Sequence, residues 1–284
     1  MIGYRASIFF SLGLVLSLTS STYGQTPGEF EVRFDTSSLT TQQAADLTPS
    51  LEASSNFWES IIIGYQPGVT LAGLDLAVSV NNIDGPSGII AQAGPSGNLF
   101  SQAGFSFATD FDPDNNPNGP VSLTGTVEID TADFNTDLIV DVLNHEVAHT
   151  LGFIDLLFDL NDLVTTDGEF IGAEGLAAFQ AEFDSSATFV PLTLDNAHLV
   201  EDNSITDAFG RRLGDELLSP IVENTTNFDD PNSNFLSNTS VGIFRDLGFN
   251  AVAPAVAAVP EASTLTALAL VGIALVTTRR RVTS

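Results

Sequence analysis

Two histidines placed four positions apart offer the clearest chemistry in this sequence. The segment HEVAHTLGF starts at His145 and contains Glu146 and His149. On an α-helix, positions i and i+4 share one face, so both imidazoles can reach one zinc ion with a glutamate beside them. Catalytic zinc takes three protein ligands and keeps one position open for water. The pattern therefore predicts a zinc site in which Glu146 is the catalytic general base.

The third zinc ligand has two candidates. The chain contains three histidines in all, and this count nominates His198. The local spacing nominates Asp155 instead, because it completes the pattern H-E-x-x-H-x-x-G-x-x-D, in which the chain turns at Gly152. A carboxylate oxygen is an acceptable zinc ligand. The residues themselves leave both candidates open.

The histidines need a helix, and the surrounding pattern supplies one together with several strands. We expect Thr136 or Asp137 to cap the zinc helix and Gly152 to end it. A helix over residues 42–61 is expected to bury Trp58 in the core. Alternation of apolar and polar residues and the positions of turns predict the strands. These strands cover residues 30–34, 71–80, 88–93 and 125–130.

A loop before the zinc helix is rich in oxygen donors. Asp110, Asp112 and Asp114 stand at alternate positions, which suits Ca²⁺. The loop does not fit the EF-hand pattern, because Asn115 replaces the glycine at position six and Val121 the glutamate at position twelve. The three aspartates are therefore candidate calcium ligands, and a solvated turn is the alternative.

The composition restricts the partners of this protein. The chain has 36 acidic residues, eight arginines and no lysine, for a formal net charge of −28. Such a charge repels nucleic acid and anionic membrane surfaces, since phosphate binding needs basic patches. The chain has no cysteine, so disulfides cannot stabilise it. Core packing and bound ions are the remaining sources of stability.

Both ends of the chain indicate export. Residues 1–24 have the features of a secretory signal peptide, with Arg5 ahead of an apolar run. Residues 251–284 form a spacer, the segment VPEAST, an apolar run over 265–276 and three arginines. This tail resembles the bacterial PEP-CTERM sorting signal, with Ala262 where a second proline is usual. A plain C-terminal membrane anchor is the alternative.

The PEP-CTERM resemblance has consequences for location and partners. It implies an exported protein of a Gram-negative-type bacterium, in the cell envelope, in the extracellular matrix or secreted. It also implies exosortase-type sorting machinery as a partner. The C-terminal apolar segment would then contact the membrane.

The body of the chain, about residues 25–250, resembles the leishmanolysin-like branch of the metzincin zinc proteases. Matching segments occur in the family's order over roughly residues 29–250. They include two strands before the zinc helix, the zinc helix itself, the segment of the third ligand, the family's Met-turn and a closing helix. These segments are residues 90–95, 125–133, 145–153, 170–173, 196–198, 215–220 and 236–249.

The metzincin resemblance implies an α/β (α+β) fold with a twisted mixed sheet and an active-site helix. The N-terminal lobe would cover about residues 25–152, and an irregular C-terminal lobe would cover 153–250. The resemblance favours His198 as the third ligand, and Asp155 remains the alternative because snapalysin-like proteases use that spacing. The implied activity is zinc-dependent hydrolysis of protein or peptide substrates.

Two positions depart from the family's pattern. Leu218 stands where the Met-turn has its methionine, and Leu199 stands where tryptophan usually follows the third ligand. These departures motivate a second hypothesis, a catalytically decayed metzincin-fold protein that binds partners at an acidic cell surface or matrix. A zinc hydrolase acting on non-peptide amides is a third.

Overall fold

The computed structural model describes residues 30–65, 73–86, 88–96, 121–222 and 234–253. All of them belong to one compact unit, Met1–Ala253. The predicted signal peptide, the candidate calcium ligands Asp110, Asp112 and Asp114, and the sorting segment from residue 254 onward lie outside the described residues. Among the helices that are described, none combines the length and apolar character needed to cross a membrane.

The fold is a mixed α/β arrangement with two sheets. The larger sheet has the strand order β1-β3-β5-β4, in which β1, β3 and β5 run parallel and β4 pairs antiparallel with β5. The smaller sheet pairs β2 with β6. The strands are β1 Glu31–Asp35, β2 Ile62–Tyr65, β3 Gly73–Asn81, β4 Ala91–Pro95, β5 Thr124–Asp130 and β6 Phe249–Ala251. The helices are α1 Thr41–Ile61, α2 Ile139–Leu151, α3 Asp155–Leu160, α4 Ala173–Glu182 and α5 Asn238–Asp246.

Helix α1 confirms the prediction for residues 42–61. It begins with a capping box, in which Thr40 accepts a hydrogen bond from the backbone of Gln43 and the Gln43 side chain bonds back to Thr40. Trp58 is fully buried, as expected. Its Nε1 donates to the carbonyl of Asn144 over 3.0 Å. This bond fastens α1 to the helix that carries the histidines.

Helix α2 confirms the predicted helix but not its predicted cap. Leu138 is the N-cap residue, and no side chain caps the helix, so the expectation of Thr136 or Asp137 was wrong. The physical reason is that a separate turn comes before the helix: the carbonyl of Thr136 accepts the N–H of Ile139 over 3.1 Å, and its hydroxyl accepts that of Leu138 over 3.4 Å. Gly152 ends the helix as predicted, with φ +119 and an N–H bonded to the last turn.

The sheet holds α2 at close range. A Cβ atom on Gly125 of β5 would lie 2.7 Å from Thr150 Cγ2, so only glycine allows this approach of strand and helix. Strand β4 starts three residues later than predicted. The carboxylate of Asp84 accepts the N–H of Ile89 with both oxygens, so this N–H is not available for strand pairing.

The part after α2 has short elements and isolated bridges. Helices α4 and α5 pack together, and Gly242 of α5 lies against the backbone of Glu174 of α4. The carboxylate of Asp246 accepts the N–H groups of Glu174 and Gly175 at the start of α4. Strand β6 follows α5 and pairs with β2, the strand that comes directly after α1. The C-terminal part is thereby joined to the part that contains the larger sheet.

Candidate metal centre

Three histidines converge in the interior of the protein. His145 and His149 lie on α2, and His198 lies outside the helices and strands, next to an isolated bridge formed by Leu199. All three side chains are buried. The ring of His198 lies 5.3 Å from that of His145 and 4.9 Å from that of His149, centroid to centroid. One nitrogen from each ring can be chosen so that all three lie within 4.8 Å of one another.

In each of the three rings, the Nδ1 atom lies against an oxygen atom. The carbonyl of Leu217 lies 2.7 Å from His145 Nδ1, and the carbonyl of Phe153 lies 2.8 Å from His149 Nδ1. His198 Nδ1 lies 3.3 Å from Oδ2 of Asp195. Because a carbonyl and a carboxylate only accept, each Nδ1 must donate its proton. The unprotonated nitrogen of each neutral ring is therefore Nε2.

The three Nε2 atoms fit a metal ion. His145 Nε2 and His149 Nε2 are 3.0 Å apart, and His198 Nε2 is buried without a hydrogen-bond partner. Lone pairs that face one another in a buried space repel unless a cation lies among them. Three imidazole nitrogens are a ligand set for zinc, copper, iron or nickel.

Burial keeps the helical histidines in the form that binds metal. It lowers the pKa of His145 to about 3 and that of His149 well below its ordinary value, because a charged ring would lose its hydration. Both rings are then neutral at pH 7. A metal ion therefore has no proton to displace from their Nε2 atoms.

Glu146 follows His145 on α2 and is also buried. Burial raises the pKa of its carboxyl to about 8, and a hydrogen bond from the backbone N–H of Ala93 on β4 opposes this effect. Its Oε2 atom has no hydrogen-bond partner. A metal cation held by the neighbouring histidines would lower this pKa again, so that the Oε2 atom could accept a proton and return it.

The segment predicted as a Met-turn lies against the histidines. In addition to the contact between Leu217 and His145, the carbonyl of Leu218 accepts the N–H of Leu199 over 3.0 Å. The buried carboxylate of Glu216 fixes this turn by accepting from the N–H of Leu218 and from residues at the start of α5. Leu199 and Leu218, the two departures from the family pattern, are both fully buried.

Asp155 lies outside the histidine cluster. It is exposed at the first position of α3, and its Oδ1 accepts from Asn196 Nδ2 over 2.8 Å. In the structure, the alternative third ligand Asp155 therefore binds the loop that carries His198 and does not join the three histidines. The bond joins two segments that are 41 residues apart.

Sequence reasoning missed three groups that hold the site. Two of them, the carbonyls of Phe153 and Leu217, have no side-chain signature, so only the fold brings them to the rings. The third is Asp195, three residues before His198, and a carboxylate so close to a candidate ligand was a readable signal. Contact with the Nδ1–H of His198 holds the pKa of Asp195 below its ordinary value.

No protein-family model matches this chain, and no curated protein sequence matches it significantly.

Proposed function

We propose that this protein is an exported zinc-dependent endopeptidase of the leishmanolysin-like metzincin type. One observation carries the proposal: three buried imidazoles each place a ring nitrogen within 4.8 Å of the other two, and a buried glutamate follows the first of them on the same helix. His145, His149 and His198 would hold the zinc ion through these atoms. The order of the sequence motifs along the chain supports the same type of protein.

The proposed reaction is hydrolysis of a peptide bond by water. A zinc ion in this site supplies Lewis-acid polarisation of the scissile carbonyl and makes water more acidic. Glu146 accepts the proton of the attacking water through its unpartnered Oε2. It then delivers that proton to the leaving amine. No side chain serves as a covalent nucleophile in this scheme.

The edge of the larger sheet offers a place for an extended substrate. In the described part of the chain, β4 has a strand partner on one side, β5. Its Ala93 N–H contacts the carboxylate of Glu146 and so does not take part in the pairing with β5. A peptide added along such an edge gains main-chain hydrogen bonds and passes close to the general base. This arrangement favours a peptide over a small amide as the substrate.

Metal analysis and peptide hydrolysis test the proposal together. We expect the purified protein to hold one zinc per chain and to release peptides from casein in a manner abolished by chelation. Glu146→Ala should keep the zinc and lose turnover. Glu52→Ala is the matched control, because Glu52 is an exposed glutamate of α1. A Glu146→Ala protein that cleaves casein as fast as the parent would refute the mechanism.

The same experiment separates the protease from a non-catalytic surface or matrix protein. Leu199 and Leu218 are the residues that motivate this second function. One zinc per chain without turnover on any member of a broad peptide library would favour it. Turnover that depends on zinc and on Glu146 would exclude it.

Export is a proposal from the two ends of the chain. We expect loss of residues 1–24 on secretion and processing of the C-terminal tail by exosortase-type machinery. Mass spectrometry of the mature protein, isolated from a host with and without that machinery, measures both ends. A C-terminus that is the same in both hosts would favour the plain membrane anchor.

A further inference from the structure

His198 is held differently from the other two histidines. His145 and His149 lie on a helix, and backbone carbonyls hold their Nδ1 atoms. His198 lies on a loop, and a side chain holds it: its Nδ1 is 3.4 Å from Oδ1 and 3.3 Å from Oδ2 of Asp195. This side chain can be replaced by mutation, whereas the two carbonyls cannot.

Asp195 is itself fixed within the same short turn. Its Oδ1 accepts from the backbone N–H of Ala197 over 3.1 Å and from the hydroxyl of Thr193. The backbone N–H of Thr193 donates to the carbonyl of His198 over 2.9 Å. These three hydrogen bonds stabilise the turn, and they fix the Asp195 carboxylate next to the His198 imidazole.

We infer that Asp195 is a positioning residue, which accepts the Nδ1 proton of His198 and so directs Nε2 towards His145 and His149. The inference rests on the proposed zinc site. It assigns Asp195 an effect on metal affinity and gives it no contact with the substrate. Partners of this kind fix the tautomer and ring orientation of a histidine ligand and raise its basicity.

The size of the effect follows from this role. Removing such a partner weakens metal binding by about 10–100-fold. The Asp195 side chain is 49% exposed, so water screens its charge and the hydrogen bond carries most of the effect. Asp195→Asn keeps an oxygen that can accept from Nδ1. It should therefore recover much of the affinity that Asp195→Ala loses.

Asp184 provides a matched control. Its Oδ1 accepts from the backbone N–H and the hydroxyl of Ser186, two residues later, as Asp195 Oδ1 accepts from the N–H of Ala197. None of the contacts described for Asp184 involves a histidine. Asp184→Ala removes the same kind of turn contact and leaves the metal ligands untouched.

The experiment is a zinc titration of the full chain in competition with a chromophoric chelator. We expect the dissociation constant of Asp195→Ala to rise about 10–100-fold, with partial rescue in Asp195→Asn and no change in Asp184→Ala. Thermal unfolding of the metal-free proteins should not distinguish Asp195→Ala from Asp184→Ala. The imidazole ¹⁵N spectrum of the zinc form should show a proton on Nδ1 of His198 in the parent.

Three results would overturn the inference, and they differ in meaning. If the parent binds zinc tightly and Asp195→Ala matches it within twofold, the role of Asp195 is wrong and the zinc site stands. If the parent binds no zinc, the proposed function and the inference both fail. Loss of affinity in Asp184→Ala equal to that in Asp195→Ala would also contradict a specific role.

Discussion

The carbonyl of Leu217 accepts the Nδ1 proton of His145 over 2.7 Å, although the two residues are 72 positions apart. The bond places a turn of the C-terminal part directly against the helix of the zinc motif. The next residue, Leu218, accepts the N–H of Leu199, which follows His198. One short segment therefore contacts one candidate metal ligand directly and the residue next to another, in two different parts of the chain.

Replacement of the two candidate third ligands should give opposite results. His198→Ala removes one of the three proposed ligand nitrogens, so we expect most of the bound zinc to be lost on dialysis. Asp155→Ala removes only the contact with Asn196 and should keep one zinc per chain. Elemental analysis of both proteins is the measurement. Loss of zinc in the Asp155 variant alone would reverse the assignment.

Leu218→Met tests whether leucine in place of methionine matters in the predicted Met-turn. The side chain is fully buried, and exchange of leucine for methionine conserves volume, so the free energy of unfolding should change by less than about 1.5 kcal/mol. We expect zinc content and casein turnover close to those of the parent. A large gain in turnover would show that Leu218 impairs catalysis and would support the decayed protein.

The sequence predicted local elements well where their pattern is strong. The zinc helix and α1 follow from apolar spacing, and Gly152 was read correctly as a helix end. The pairing of β2 with β6 was not predicted, because it joins segments almost two hundred residues apart. The predicted cap of α2 was wrong because a turn at Thr136 comes before the helix and makes Leu138 the N-cap residue.

Asp130→Asn should destabilise the fold at the C-terminal end of β5. One carboxylate oxygen accepts the N–H groups of Ile83, Asp84 and Gly85, and the other accepts that of Ala132. An asparagine amide would turn an NH₂ group towards these donors. We expect a loss of about 2–4 kcal/mol from the free energy of unfolding in urea. Asp159→Asn on the exposed face of α3 is the control and should be neutral.

The same variant gives a test in acid. Burial by itself raises the pKa of Asp130, but the four N–H donors outweigh it and hold that pKa below its ordinary value. A carboxyl with a lowered folded-state pKa stabilises the fold above its unfolded pKa of about 3.9, and this contribution is lost as the pH falls through the folded value. The difference in the free energy of unfolding between the parent and Asp130→Asn should therefore become smaller in acid. A difference that widens would contradict this account.

Gly152→Ala should weaken both stability and zinc binding. The backbone has φ +119, and a Cβ atom would lie 2.6 Å from Leu157 Cδ1. We expect the free energy of unfolding to fall by about 2 kcal/mol or more. We also expect weaker positioning of His149, because the carbonyl that contacts its Nδ1 belongs to Phe153, the residue after Gly152. Thermal unfolding and zinc titration measure the two effects.

Gly210→Ala tests whether the effects of Gly152→Ala come from a positive φ alone or from the location of Gly152 at the end of α2. Gly210 also has a positive φ, +82, but a Cβ atom there would meet nothing within 4 Å. We expect a smaller loss of stability and an unchanged zinc affinity. Equal zinc affinities for the Gly152 and Gly210 variants would show that the end of α2 does not position His149.

The candidate site could be predicted only in part. The candidate ligand residues follow from the three histidines and their spacing, because residue types are visible in the sequence. The choice between Asp155 and His198 depends on where distant segments fold, and local spacing cannot decide that. The orienting carbonyls of Phe153 and Leu217 are the same atoms in any residue, so no residue type signals them.

The bond from Trp58 to the carbonyl of Asn144 gives the protein an optical reporter. Trp58 is the one tryptophan of the chain, and the residue that follows its acceptor is His145. Selective excitation of its indole therefore observes a single buried location beside the zinc motif, with no dye attached. A change in emission on adding or removing metal would report the helix itself, in real time and in unmodified protein.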